Sequence, residues 1–258
     1  MSYIYETHLH TIQASACGKS KGAEYISFYQ NMGYSGIIVT DHFFNGNSSI
    51  PSNLSWNERI NRFCAGYEDA KNEGDKKGLQ VFFAWECCFD GDEYLVYGLD
   101  KQWLLEHPEI MTWDHITHYN EIKKAGGLVV QAHPFRERDY LTRINLHPFQ
   151  CDAWEVANAG NPLYQDVLAY NYAKKHNIPM TAGSDIHKVN ETLIGSFYGV
   201  AFDKPLSSIK DYVYRIKKGE GYHLHINNDI LTLPPNKTSQ LPVYLFDQNN
   251  IPHNSYTS

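Results

Sequence analysis

The sequence predicts an α/β barrel, a mainly parallel sheet wrapped by helices. Along the chain, short apolar runs alternate with longer amphipathic ones, the pattern of repeated strand–helix units. The strand runs are nearly continuous in apolar residues, as strands covered on both faces must be. Polar motifs end many different strands, and no Gly-rich phosphate loop follows the first. Together these favour a closed or nearly closed barrel over an open doubly wound sheet.

The first strand is expected over residues 3–8, an aromatic and apolar run that ends in histidine. A helix over 23–33 closes in glycine before a strand over 36–40, as a left-handed C-terminal residue requires. One long polar-faced helix, 56–74, leads to a strand over 81–86, and another strand follows over 94–97. The helix over 116–126 ends in Gly126-Gly127 before a strand over 127–131. Strands over 153–156 and 180–182 flank a helix over 162–176, and a helix over 206–219 closes the series. From about Tyr222 the regularity fades into Pro-Pro and Asn-rich sequence, read as an extension packed on the barrel. Residues 1–258 are thus expected to form one domain, a length that an α/β barrel commonly reaches alone.

Hydrophobic residues make up 42% of the chain and charged residues 20%, as in a globular protein with a sizeable core. A formal net charge of −7 argues against gripping nucleic acid through bulk electrostatics. It leaves room for a small anionic substrate, because bound cations invert the local field. No run approaches the roughly 18 apolar residues of a membrane span, and the first residues lack the basic and apolar regions of a secretory leader. The five cysteines (Cys17, Cys64, Cys87, Cys88, Cys151) are odd in number and lack metal-knuckle spacing, so reduced thiols in a cytoplasm are expected.

Five motifs carry the chemistry, each at the end of an expected strand. His8-Leu9-His10 places two imidazoles on one side of an extended segment, where they can converge on one ion or stand as surface histidines. Thr40-Asp41-His42 offers His42 as the better ligand, with Asp41 orienting a neighbour or capping the next segment. Glu86 closes an apolar run, and a carboxylate there is costly to bury unless paired or metal-bound. His133 precedes Pro134 after the next strand, and Asp185-Ile186-His187 repeats the spacing of the first motif.

In this order the motifs resemble the polymerase and histidinol phosphatase (PHP) superfamily, across residues 3 to about 200. The resemblance implies a distorted seven-stranded (β/α) TIM-like barrel holding two or three divalent ions (Zn, Mn or Fe). It also implies hydrolysis of phosphate esters by a metal-bound hydroxide. Carried over position by position, it implies His8, His10, His42, Glu86, His133, Asp185 and His187 as ligands, with Glu86 bridging. The chain departs from the pattern twice. Where relatives place a further Asp or His, it has Cys17 and Lys19, read as a possible thiolate and a phosphate contact or as ordinary loop residues. Where many relatives carry a histidine after the strand at 94–97, the nearest match is Asp100.

Glu86, Asp185 and His187 are accordingly the expected catalytic groups. Arg136 is the first choice for the substrate phosphate, with Arg138 and Arg143 in the same loop. Asn158 and Glu155 are expected at the mouth, Asn158 equally as a helix cap, and His147 as structural or exposed. Residues 45–58 and 137–149 are expected to shape the pocket. The leading expectation is a phosphatase for a small phosphorylated substrate, histidinol phosphate or a nucleotide. The alternatives are a phosphodiesterase or exonuclease, a non-catalytic metal-binding domain, and an amidohydrolase, which would be expected to place a lysine between its metals.

Overall fold

The computed structural model describes residues 2–190 and 197–254. Each expected strand forms, beginning with β1 (Tyr3–Glu6), then α1 (Gly22–Asn31) and β2 (Gly36–Val39). The single helix expected next is two, α2 (Trp56–Phe63) and α3 (Ala65–Lys77), hinged at Cys64. Two residues past that hinge, Gly66 presses α3 onto the β1–α1 loop. A Cβ there would lie 2.0 Å from Thr11 Oγ1.

β3 (Gln80–Phe89) and β4 (Asp92–Tyr97) form a hairpin turned by Asp90-Gly91, with φ of 52° and 92°. Two consecutive positive φ values suit a tight two-residue turn, and Asp-Gly is its usual sequence. β4 therefore runs antiparallel to both neighbours, against the expectation of a parallel sheet.

Asp100 caps α4 (Lys101–Glu106) by accepting from Trp103 N at 2.9 Å. Next come a 3-10 turn (Pro108–Thr112), α5 (His115–Lys124), β5 (Leu128–Gln131), β6 (Ile144–Leu146) and β7 (Ala153–Asn158). α6 (Leu163–Lys175), β8 (Met180–Gly183), β9 (Gly199–Phe202), α7 (Ile209–Lys218) and β10 (Tyr222–His225) follow. α8 (Asp229–Thr232), β11 (Val243–Phe246) and β12 (Pro252–Asn254) end the described chain.

The main sheet has nine strands in the order β10-β9-β1-β2-β3-β4-β5-β7-β8, rather than seven. β9 adds antiparallel beside β1, and β10 adds antiparallel beside β9. At the other end of the sheet the ring nearly closes, where Leu9 and Ile186, just past β1 and β8, form an isolated parallel bridge. From residue 222 onward the chain divides its contacts. β10 joins the main sheet, while β11 pairs with β6 and β12 in a separate three-stranded sheet.

Aromatic side chains fill the space between sheet and helices. Phe43, Phe63, Phe83 and Trp85 form one buried cluster with residues of α4, α5 and α6. Tyr5, Tyr97 and Phe202 form another with Tyr212 and Ile216 of α7. Truncating a fully buried side chain such as Trp85 to alanine costs about 3–5 kcal/mol. This packing fixes the strand ends, and with them the polar residues of the centre.

Candidate metal centre

His8 and His10 lie on either side of Leu9, whose backbone makes the bridge to Ile186, so both rings turn to the inside of the ring and are fully buried. His42 follows β2 and bridges to Glu86 of β3, and Phe43 N donates to Glu86 O at 2.6 Å. His133 follows β5 with φ 31°, and Asp185 follows β8 with φ 52°. For residues other than glycine such backbones cost on the order of 1–3 kcal/mol each and tend to cluster at functional sites.

The seven expected ligand residues come together at the carboxyl ends of these strands. Glu86 stands between two pairs of imidazoles. Its Oε1 is 3.3 Å from His8 Nε2 and 3.4 Å from His133 Nε2. Its Oε2 is 3.3 Å from His10 Nε2 and 2.9 Å from His42 Nδ1. Asp185 Oδ1 lies 3.1 Å from His10 Nε2, 3.5 Å from His8 Nε2 and 3.8 Å from His187 Nε2. Among the described residues, four overlapping sets bring donor atoms within 4.8 Å of one another. They are His8–His10–Asp185, His8–Glu86–His133, His42–Glu86–Glu93 and His10–His42–His187.

Several of these donors have no hydrogen-bond partner among the described residues although they are buried: both oxygens of Glu86, His42 Nδ1 and His133 Nε2. The short His42–Glu86 contact thus lacks hydrogen-bond geometry. Buried polar atoms are normally satisfied, so this convergence of orphans fits a set of cations. The electrostatics agree. Burial alone would push the Glu86 carboxyl up, yet His8 and His42 hold it well below the usual range. Burial would likewise lower His8, but Glu155, Asp185 and Glu86 outweigh it and raise it well above the ordinary imidazole value. A field that favours protons on imidazoles favours divalent cations still more.

His10 is oriented from behind. Ser15 Oγ donates to Asp41 Oδ1 at 2.6 Å, so it can only accept from His10 Nδ1, 3.2 Å away. That leaves His10 Nε2 free towards Glu86 and Asp185. Asp41 also accepts from Thr11 N at 2.6 Å and Thr11 Oγ1 at 2.7 Å, and thus acts through Ser15 on its neighbours.

A cavity of ≈470 Å³ opens over the centre, its rim formed by Cys17, Asn47, Arg138, Tyr140 and Gly160. Arg136 lines it, but three of its N–H groups are engaged inside the protein. They donate to Asp185 Oδ2 (2.6 Å), Asn158 Oδ1 (2.6 Å) and Asn161 Oδ1 (2.7 Å). Arg138 reaches the rim half-buried, bonded to the Glu137 carbonyl at 3.2 Å, with no carboxylate partner among the described residues.

Other expected contacts fall elsewhere. Asn158 is fully buried behind Arg136, because β7 carries it inward, and so is not at the mouth. Glu155 lies beneath His8 with a 2.9 Å contact to its Nδ1, also away from the mouth. Lys19 is exposed and does not line the cavity; its backbone N–H donates to His187 O at 2.7 Å. Arg143 lies over the Tyr244 ring, and His147 stacks on Phe246, both apart from the centre. Asp100 is the cap of α4 and does not reach the centre. Cys17 does line the cavity. Burial would raise its thiol, but hydrogen bonds with His187 and His42 bring it down to about 6.

Glu93 is the residue that strand-end reasoning misses. It lies 3.4 Å from His133 Nε2 and 3.9 Å from His42 Nδ1, and burial with the nearby Glu86 pushes its carboxyl up to about 8. Because β4 is antiparallel, its first residues lie level with the last residues of its neighbours. The Asp90-Gly91 turn was the available signal.

No curated protein matches the sequence. Residues 167–220 match the family model described as PHP-associated. The fold is similar to that of a candidate metal-dependent phosphoesterase from Bifidobacterium adolescentis, with TM-score 0.52 and 15% identity over 73% of this chain and 89% of the other. It is also similar to an amidohydrolase from Chromobacterium violaceum, solved with bound sulfate and no metal. There the TM-score is 0.51 and the identity 14%, over 82% of this chain and 96% of the other. The PHP-associated match over residues 167–220 bears out the resemblance to the PHP superfamily, and the two solved structures share the fold.

Proposed function

We propose that the protein is a metal-dependent phosphoesterase that hydrolyses a small phosphate monoester. The observation that carries this reading is the set of buried, partnerless donor atoms around Glu86. His8, His10 and Asp185 would hold one divalent ion, Glu86 with His133 would contribute to a second, and His42 with His187 to a third. Glu86, with one oxygen towards each pair of imidazoles, is the bridging carboxylate. Zinc, manganese and iron all suit such a mixed nitrogen and oxygen set. Bound there, the ions neutralise phosphoryl oxygens and make a water molecule more acidic.

The side chains then divide the remaining work. Glu86 and Asp185 hold the centre open towards the cavity. His187, about one quarter exposed at the mouth, would face the entering substrate from the ligand set of the third ion. Arg138 recognises the phosphate, since Arg136 is occupied by Asp185 and two asparagines. A cavity of ≈470 Å³ suits a small molecule, and the charge of −7 counts against a nucleic-acid substrate.

The test is elemental analysis of the purified protein, with phosphate release from an aryl phosphate measured with and without chelator. Two or more ions per chain and chelator-sensitive release are expected. Bound metal without monoester turnover would shift the reading to a diester or an amide. A chain that takes up no metal after reconstitution would end it.

A further inference from the structure

Glu155 is a buried carboxylate with no aqueous contact, a costly placement unless its lone pairs are satisfied. They are. Oε1 contacts His8 Nδ1 at 2.9 Å, while Oε2 accepts from Asn158 Nδ2 at 2.9 Å and from His133 N at 3.2 Å. One side chain on β7 thereby touches His8, two residues past β1, His133, two residues past β5, and the asparagine that accepts from Arg136.

The backbone makes this arrangement possible in two ways. Residues 155 and 158 of a regular strand face opposite sides. Between Glu155 and Ala157 the pairing with β8 slips, as in a β-bulge, and Glu155 and Asn158 come to the same side. On β8, Gly183 leaves the space. A Cβ there would lie 2.6 Å from His8 Cβ and 2.7 Å from Glu155 Oε1.

We propose that Glu155 is a positioning residue of the centre, fixing His8 with its proton on Nδ1 and its Nε2 lone pair aimed at a divalent cation, and anchoring the strained backbone of His133. An ionised carboxylate can only accept, so the nitrogen facing it must be the N–H of His8. The opposite nitrogen, 3.3 Å from Glu86 and 3.5 Å from Asp185, is left as the donor to the ion. Carboxylates behind metal-binding histidines commonly act in this way, and losing one costs about 10–100-fold in metal affinity. The bond to His133 N holds that residue at φ 31°, where its Nε2 meets Glu86.

The assignment rests on the metal reading above, and the test separates the two. Zinc affinity and stoichiometry are measured by chelator competition on the whole chain, for wild type, Glu155→Gln and Glu155→Ala, beside the melting temperature of each metal-free protein. Glu155→Ala is expected to weaken zinc at one position about 10–100-fold, and Glu155→Gln less, because one amide oxygen still accepts. A purely structural brace would lower the melting temperatures and leave zinc affinity at the wild-type value, which overturns the proposal. Should the variants not fold, NMR of the imidazole nitrogens in zinc-loaded wild type decides. His8 protonated at Nδ1 supports the assignment, and His8 protonated at Nε2 overturns it. Wild type that binds no zinc fails the metal reading itself, and the assignment with it.

Discussion

Arg136 and Asp185 form a buried pair in which the carboxylate is divided. Oδ2 accepts from Arg136 Nη1 at 2.6 Å, and Oδ1 faces the imidazoles of His10 and His8. Burial would raise the Asp185 carboxyl, but His8 and Arg136 hold it well below the usual range. Removing the guanidinium leaves a buried charge without its partner, a loss of about 3–5 kcal/mol. Arg136→Ala is therefore expected to lower stability by that order in urea unfolding of the metal-free protein, with divalent cation restoring part of it. Arg136→Lys should restore little, since a lysine cannot reach Asp185, Asn158 and Asn161 in one fork.

Glu86 tests the chemistry itself. Glu86→Gln keeps the shape of the side chain and removes the charge that faces both pairs of imidazoles. Phosphate release should fall by more than the roughly 10–100-fold that a residue behind the ligands costs. The far-UV spectrum should stay near wild type, while the metal-free melting temperature should fall, because His8 and His42 stabilise the buried carboxylate. A variant that turns over at the wild-type rate would sink the bridging role.

Substrate recognition is assigned to Arg138. A hydrogen bond to a charged group contributes about 1.5–3 kcal/mol, which corresponds to a rise in KM of roughly tenfold to a hundredfold on loss. Arg138→Ala should show that rise with unchanged metal content and a kcat close to wild type. An unchanged KM would return the phosphate to another group on the rim.

Acid should destabilise the protein through histidines remote from the centre. Burial lowers His118 to about 4, and burial with the neighbouring His147 and His118 lowers His115 to about 3. As pH falls below about 6.5 the unfolded chain takes up these protons and the folded one does not, so stability present at neutral pH is lost towards pH 4. Raised acids such as Asp41 work in the opposite direction, so the measurement is a difference. The stability of wild type minus that of His118→Phe should rise between about pH 4 and 6.5 and level off above it. A difference flat across that range would contradict the assignment.

Much of the centre was legible because its histidines and Asp185 lie within four residues past the end of a strand. His8, His10, His42, His133, Asp185 and His187 need only their own strand to be recognised as neighbours. Glu93 escaped because it lies at the start of its strand rather than past its end, and only the direction of β4 brings it to the same edge. The partners of Arg136 lie 22 to 49 residues away, and local sequence does not specify such pairings. A regular strand does not bring Glu155 and Asn158 to one side; the slip in β7 does, and Glu155 lies beneath His8 rather than at the mouth. The pairing of β6 with β11 joins two short apolar segments about a hundred residues apart, each only three or four residues long, and nothing local in the sequence links them.

The bridge between Leu9 and Ile186 is the seam of the ring, and the residues on either side of it are His8, His10, Asp185 and His187. Buried Glu6 stitches the same seam, one oxygen accepting from His8 N and from Ser184 N, each at 2.9 Å. An ion shared by His8, His10 and Asp185 would act as a rivet through both edges. Loading the centre and fastening the barrel then become a single event, and the amides of His10 and Lys19, which donate to Ile186 and His187 across the seam, become its clock in hydrogen exchange.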